Sequence, residues 1–182
     1  MSEVKKLLPL MRNVAERMTR DGYMGYEFVI PTVETTAEYI RNETAHWHVK
    51  PTLVSANQRY ELYAKTYIAI VASGTVSAEL AMLHVPAIVV YKMNRVTTWI
   101  GHLLIRVRWA SLVNILLNRT VYPEFLGEKA TAKNIAHTFD KMTVLGAREK
   151  IISELHAADN MWIRPEGAAS KIIAESVSGQ CK

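Results

Sequence analysis

Tyr67-Ile-Ala-Ile-Val-Ala-Ser-Gly-Thr-Val-Ser-Ala-Glu79 joins an apolar run to a turn of small residues and then to a helical pattern. The uncharged run Tyr67 to Ala72 predicts a buried strand of the parallel-sheet kind. Ser73-Gly74-Thr75 makes the turn, and the helix it opens carries a carboxylate, Glu79, one turn in. The first N–H groups of a helix lack intrahelical partners and sit at the positive end of its dipole, which suits a phosphate. Gly74 allows a ligand close to the backbone, while Ser73 and Thr75 can cap the helix or bind oxygen. Glu79 suits a pair of sugar hydroxyls. Read alone, the segment is equally compatible with an ordinary strand-to-helix turn.

Working outward, the pattern alternates. Val4, Leu7, Leu8, Met11, Val14, Ala15 and Met18 repeat with helical period and predict a helix over residues 2–20. Tyr26 to Ile30 reads as a strand ended by Pro31, and residues 34–44 as a helix. A short strand is expected near Leu53-Val54, and a helix over residues 58–65 leads into the key strand. Beyond it come a helix over residues 75–84, a buried strand over residues 86–91 and a helix over residues 95–107. Helices over residues 131–141, 148–159 and 165–177 complete the chain. Such alternation predicts an α/β fold, a Rossmann-like parallel sheet with helices on both faces and right-handed crossovers. Ligands of such sheets sit at the carboxyl ends of the strands, where Ser73-Gly74-Thr75 falls. We expect one domain over residues 1–160 and a helical tail over residues 161–182.

Composition narrows the function classes. The 182 residues are 49% hydrophobic, enough for a sizeable core and incompatible with a disordered chain. The single cysteine, Cys181, excludes a disulfide framework and a cysteine metal site, and fits a reducing cytoplasm. No run of 18 apolar residues occurs, so no transmembrane helix is expected. The net charge is +5, and between Glu79 and Glu124 there is no acidic residue, whereas Lys92, Arg95, Arg106, Arg108 and Arg119 fall in that span. The block concentrates anions or is a solvated basic face. No nucleic-acid module is recognisable, so a phosphorylated or membrane-surface ligand fits better than nucleic acid. Trp99, Ile100, Leu103 and Leu104 with their flanking arginines either touch an anionic bilayer or pack on the sheet.

Other chemistry is thin. His46 and His48 could face one side as metal ligands, but no third ligand is evident and no metal is expected. His84 and His102 read as isolated core-edge or surface histidines. Ser73 lacks a Gly-x-Ser-x-Gly elbow, and neither a Walker A loop nor a Gly-x-Gly-x-x-Gly fingerprint is present. Asn114 can donate and accept together, as a uracil edge, a ribose or a sugar hydroxyl requires, or it caps a helix. Arg119 either neutralises a phosphate or is a surface charge.

These residues carry a resemblance. Ala72-Ser-Gly-Thr75, Glu79-Leu-Ala81, Val85-Pro86, Val89-Val-Tyr91, Ser111-Leu112, Asn114-Ile-Leu-Leu-Asn-Arg119 and Pro123-Glu-Phe-Leu126 resemble the lipid-A-disaccharide synthase family, glycosyltransferases of GT-B architecture. So do the opening Ser2-Glu-Val4 and Gln58-Arg59 before the key strand. The resemblance implies transfer of diacylglucosamine from UDP to diacylglucosamine 1-phosphate, with inversion and without a cofactor, in lipid A biosynthesis. It implies substrate-binding roles for Ser73, Gly74, Thr75, Glu79, Asn114 and Arg119, and a peripheral place on the cytoplasmic side of the inner membrane. The family carries a Gly-Ser-Arg turn just before the position of Ser2, where this chain has Met1. We therefore expect a carboxyl-terminal piece that holds the donor nucleotide, is inactive alone and forms a homo-oligomer through its tail. The alternatives are another GT-B enzyme or UDP-sugar epimerase domain, and a non-catalytic flavodoxin-like interaction module.

Overall fold

The computed structural model describes residues 2–72, 74–92 and 109–162. The first helix, α1 (Ser2–Arg20), is followed by β1 (Val29–Thr32), α2 (Glu34–Thr44), β2 (Thr52–Ser55), α3 (Arg59–Lys65), β3 (Ala69–Ala72) and α4 (Thr75–Met82). Next come β4 (Ala87–Tyr91), α5 (Leu112–Leu117), β5 (Glu124–Leu126), α6 (Ala132–Thr143), α7 (Ala147–His156) and α8 (Asp159–Trp162). Every strand pairing is parallel. The α/β class and its parallel pairing are as the alternating pattern predicts.

The strand β4 shows why helices must cover both faces. Ala87 to Val90 are each 0% exposed, and successive side chains of a strand point to opposite faces. Ile88 and Val90 pack with Leu10, Val14 and Met18 of α1 and with Ile135 and Phe139 of α6. Ala87 and Val89 pack with Leu80 and Ala81 of α4, with Val113 of α5, and with Tyr122 and Leu155. The result is a layered α/β/α core around the order β3-β4-β5, with Ala69 opposite Ala87 and Val90 opposite Phe125. Each fully buried Leu, Ile or Val contributes about 1.5–3 kcal/mol.

The expectation of one sheet is modified. β1 and β2 form a separate parallel ladder among the described residues, with Ile30 opposite Leu53. α1 ties the two sheets together: Leu10, Val14 and Met18 serve the larger core, while Leu8 packs with Ile40 and Trp47, against Ile30 and Leu53. Pro31 does not end β1 but lies within it, opposite Val54. A strand bonded on one side can hold a proline, because the missing N–H leaves no ladder bond broken. The pattern also gave no sign of α5 or β5. The expected helix over residues 95–107 and the tail from residue 163 onward lie outside the described residues.

Tyr122 anchors the α5–β5 connection. Its hydroxyl donates to the Val85 carbonyl at 2.6 Å, and burial pushes the phenol far above its ordinary pKa, so it stays a neutral donor. No helix among the described residues is long and apolar enough to cross a membrane.

Candidate functional site

The carboxyl ends of β1, β2 and β3 give onto the loops that hold the candidate residues. After β3 the chain turns at Gly74, which has φ +150° and ψ −160°. That region is open essentially to glycine alone. An added β-carbon at Gly74 would meet nothing within 4 Å, so the demand for glycine comes from backbone conformation alone. We therefore expect Gly74→Ala to lower stability by about 1–3 kcal/mol. Urea unfolding measures this, and an unchanged midpoint contradicts the backbone assignment.

The helix α4 begins without a side-chain cap. Thr75 is already inside the helix and exposed, so it does not cap, and Ser73 lies outside the described residues. The Ser77 hydroxyl instead donates to the Gly74 carbonyl at 2.7 Å, and the Ser77 N–H reaches the same oxygen at 3.2 Å. Helical geometry gives the Thr75 and Val76 N–H groups no partner within the helix, so they point outward as donors.

Glu79 faces Arg59. The guanidinium Nε lies 3.3 Å from the carboxylate, and the two side chains are 36% and 31% exposed. The same guanidinium donates to the Ala56 carbonyl and to the Tyr60 hydroxyl and lies 4.5 Å from the Tyr60 ring centre. Arg59 thus connects the loop after β2 to the start of α4. The sequence gave it no separate role because its partner is 20 residues away. Beside this link, a hollow of about 480 Å³ opens at the ends of β1 and β2, lined by Thr32, Val33, Thr35, Ser55 and Asn57 among others.

Asn114 is placed differently from expectation. It is the third residue of α5 rather than its cap, and it is fully buried. Its Nδ2 donates to the Tyr122 carbonyl at 2.7 Å and to Glu124 at 2.6 Å. Its Oδ1 accepts from the Val121 and Tyr122 N–H groups at 2.8 and 2.9 Å. Both donors and the acceptor of the amide are used within the protein. Glu124 in turn accepts from the N–H groups of Ala110 and Ser111 at 2.7 and 3.1 Å. A carboxylate is well placed at the positive end of a helix, and it does the capping that the Ser111 side chain does not. Glu124 was missed because it comes after the helix it caps, whereas capping residues are read from local sequence.

Arg119 is half-exposed, with its Nε 3.6 Å from Glu154 of α7. Its side chain stands apart from the Asn114–Glu124 network, although its backbone N–H bonds to the Asn114 carbonyl at 3.2 Å after the left-handed turn at Asn118 that ends α5. His46 and His48 lie in an exposed turn on either side of buried Trp47, not on a strand. His84 is not isolated: its Nε2 is 2.7 Å from Asp159.

The arrangement can therefore offer backbone donors at α4, a clamped carboxylate one turn further on, and, on the far side of Arg59, a hollow lined in part by the Ala56 that Arg59 bonds. Residues 1–162 match the family described as lipid-A-disaccharide synthetase. The chain belongs to the lipid-A-disaccharide synthase family. It is similar to a lipid-A-disaccharide synthase of Rhodospirillum centenum, 36% identical over 142 residues, which are 78% of this chain and 35% of that protein. It is also similar to that of Myxococcus xanthus, 34% identical over 179 residues, covering 97% of this chain and 46% of the relative. The chain thus spans between about a third and a half of the length of these family members.

Proposed function

We propose that this chain forms the donor-nucleotide half of a lipid-A-disaccharide synthase, a glycosyltransferase of lipid A biosynthesis. The observation that carries the reading is the turn at Gly74: a glycine-only backbone at the end of β3, running into the outward N–H groups of α4, with Glu79 held by Arg59 beside it. The diphosphate of a UDP-sugar takes the helix N-terminus and Ser73, Gly74 and Thr75. Glu79 takes the ribose hydroxyl pair, oriented by Arg59. Asn114 serves by holding Glu124 and the loop over residues 121–124, and Arg119 adds positive charge at the rim.

In this reading the donor is a UDP-diacylglucosamine, the acceptor a diacylglucosamine 1-phosphate, and transfer inverts the anomeric centre. Charge on the departing diphosphate is stabilised by donors already in place, which need no reorganisation during reaction. The acyl chains of both substrates place the enzyme at the cytoplasmic face of a membrane. Residues 161–182 carry apolar positions at Ala168, Ala169, Ile172, Ile173 and Val177 and join a second copy. Light scattering at tens of micromolar checks this last point, and a monomer both with and without residues 161–182 removes it.

Titration with UDP, UMP and FMN tests the nucleotide assignment. UDP is expected to bind best. Glu79→Gln is expected to weaken UDP by about 1.5–3 kcal/mol, the range for a hydrogen bond to a charged group, or about one to two decades in affinity. Unchanged UDP affinity in a folded Glu79→Gln protein contradicts the ribose role. Preference for FMN, or no nucleotide binding, favours the flavodoxin-like reading.

A further inference from the structure

At the end of α4 opposite Gly74, three side chains from distant parts of the chain converge. His84 follows the helix with φ +55°, in the left-handed region that glycine usually occupies at a helix end. Its N–H bonds to the Ala81 carbonyl at 3.0 Å, and the Val85 N–H bonds to the Leu80 carbonyl at 2.9 Å, which fixes the turn. His156 closes α7, and Asp159 opens α8. Each of the three adjoins a core residue in the chain: Val85 follows His84, Leu155 precedes His156 and Ala158 precedes Asp159, and these three are at most 5% exposed. The backbone under the three groups is therefore held in place from beneath.

Above it, His84 Nε2 lies 2.7 Å from one Asp159 oxygen, and His156 Nδ1 lies 3.5 Å from the other. The two imidazoles stack with centres 3.5 Å apart and planes 27° apart. One ligand atom from each of the three residues lies within 4.8 Å of the others. The His156 side chain is 57% exposed, which gives an ion a path from solvent.

We propose that His84, His156 and Asp159 form a binding site for a divalent transition-metal ion of the zinc type, which ties the α7–α8 corner to the end of α4. Two imidazole nitrogens and a carboxylate match the donor set of zinc, with bonds of about 2.0–2.2 Å and ligand atoms about 3.4 Å apart around a tetrahedral ion. The 3.5 Å His156–Asp159 separation is close to that value but involves the other carboxylate oxygen from the one His84 meets at 2.7 Å, so the His84 contact must open and the stacked rings must rotate for their in-plane lone pairs to converge on one ion. Three protein ligands leave the fourth position to water. Magnesium and calcium prefer all-oxygen sets, so the two imidazoles select against them. The site lies at the far end of α4 from the proposed nucleotide turn, so the ion's effect is read in stability rather than in nucleotide binding.

The test uses the purified chain stripped with a chelator and then titrated with zinc sulfate against a metallochromic dye. Cobalt(II) serves as a probe with visible absorption, and magnesium chloride as the control. Two variants separate ligation from folding. His84→Gly removes a ligand but puts glycine where φ is positive, and His156→Gln changes an exposed side chain. The expected result is one zinc per chain, a rise in melting temperature with zinc but not with magnesium, and affinity at least tenfold weaker in each variant. Failure to hold zinc at micromolar concentration overturns the proposal. So does zinc binding that both variants leave unchanged, which would assign the ion elsewhere, for instance to His46 and His48.

Discussion

Replacing Asn114 with leucine is expected to destabilise the fold by about 3–6 kcal/mol, the largest effect of any single side chain in the candidate site. The estimate counts buried groups that lose their partner. The Val121 N–H, the Tyr122 N–H and the Tyr122 carbonyl all bond to the Asn114 amide. A buried group left unpaired costs about 1–3 kcal/mol. Glu124 also loses a donor at 2.6 Å. Against a total stability of about 5–15 kcal/mol, such a loss unfolds a marginal domain. Asn114→Asp keeps the acceptor but sets a second carboxylate against Glu124, and like charges at that distance oppose each other. Both variants are therefore expected to shift the urea midpoint strongly, with Glu124→Gln milder than either because it keeps an amide oxygen as acceptor. Asn114→Ala offers the sharpest contrast with direct ligand contact. If that protein keeps wild-type stability yet loses UDP binding, Asn114 touches the nucleotide and the clasp is the wrong account.

The same network shows where the sequence stopped being informative. β3, the Gly74 turn and α4 were legible because strand, turn and helix signals are local and follow one another within 13 residues. β4 was legible because a strand buried on both faces is apolar at every position. β5 has three residues, and Glu124 within it is polar, so no period could reveal it. α5 is six residues long, with Ile115 and Leu116 about half exposed, so its pattern does not resemble an amphipathic helix. Asn114 was singled out for a ligand role, whereas its partners within the protein lie 7 to 10 residues away across a turn that ends α5. Arg59 and Glu79, and likewise His84 and Asp159, are brought together by packing. Such pairs are invisible to any reading that scans one element at a time.

We expect this chain on its own to bind UDP weakly and to transfer no sugar. Weak binding follows from what the carboxyl edge offers: backbone donors at α4, Glu79 held by Arg59, and an open hollow beside them. No transfer is expected because the two carboxylates of the candidate site are already engaged. A general base must reach the acceptor hydroxyl with a lone pair to spare. Glu79 faces the Arg59 guanidinium, and Glu124 accepts from Ala110, Ser111 and Asn114. Neither is placed to take a proton from a second substrate. One wall of a cleft also cannot exclude water from around a donor and an acceptor. The Rhodospirillum centenum relative has 65% of its length outside the matched part, against the 35% that this chain covers. The measurement is transfer from diacylated UDP-glucosamine to the monosaccharide phosphate. It is run with this chain alone and then with the unmatched part of that relative added as a separate polypeptide. Turnover by the chain alone would place the base among its own residues and sink the two-part mechanism. Turnover only on mixing, with the donor KM raised about tenfold or more by Glu79→Gln in this chain, would locate donor binding here and the base in the added part.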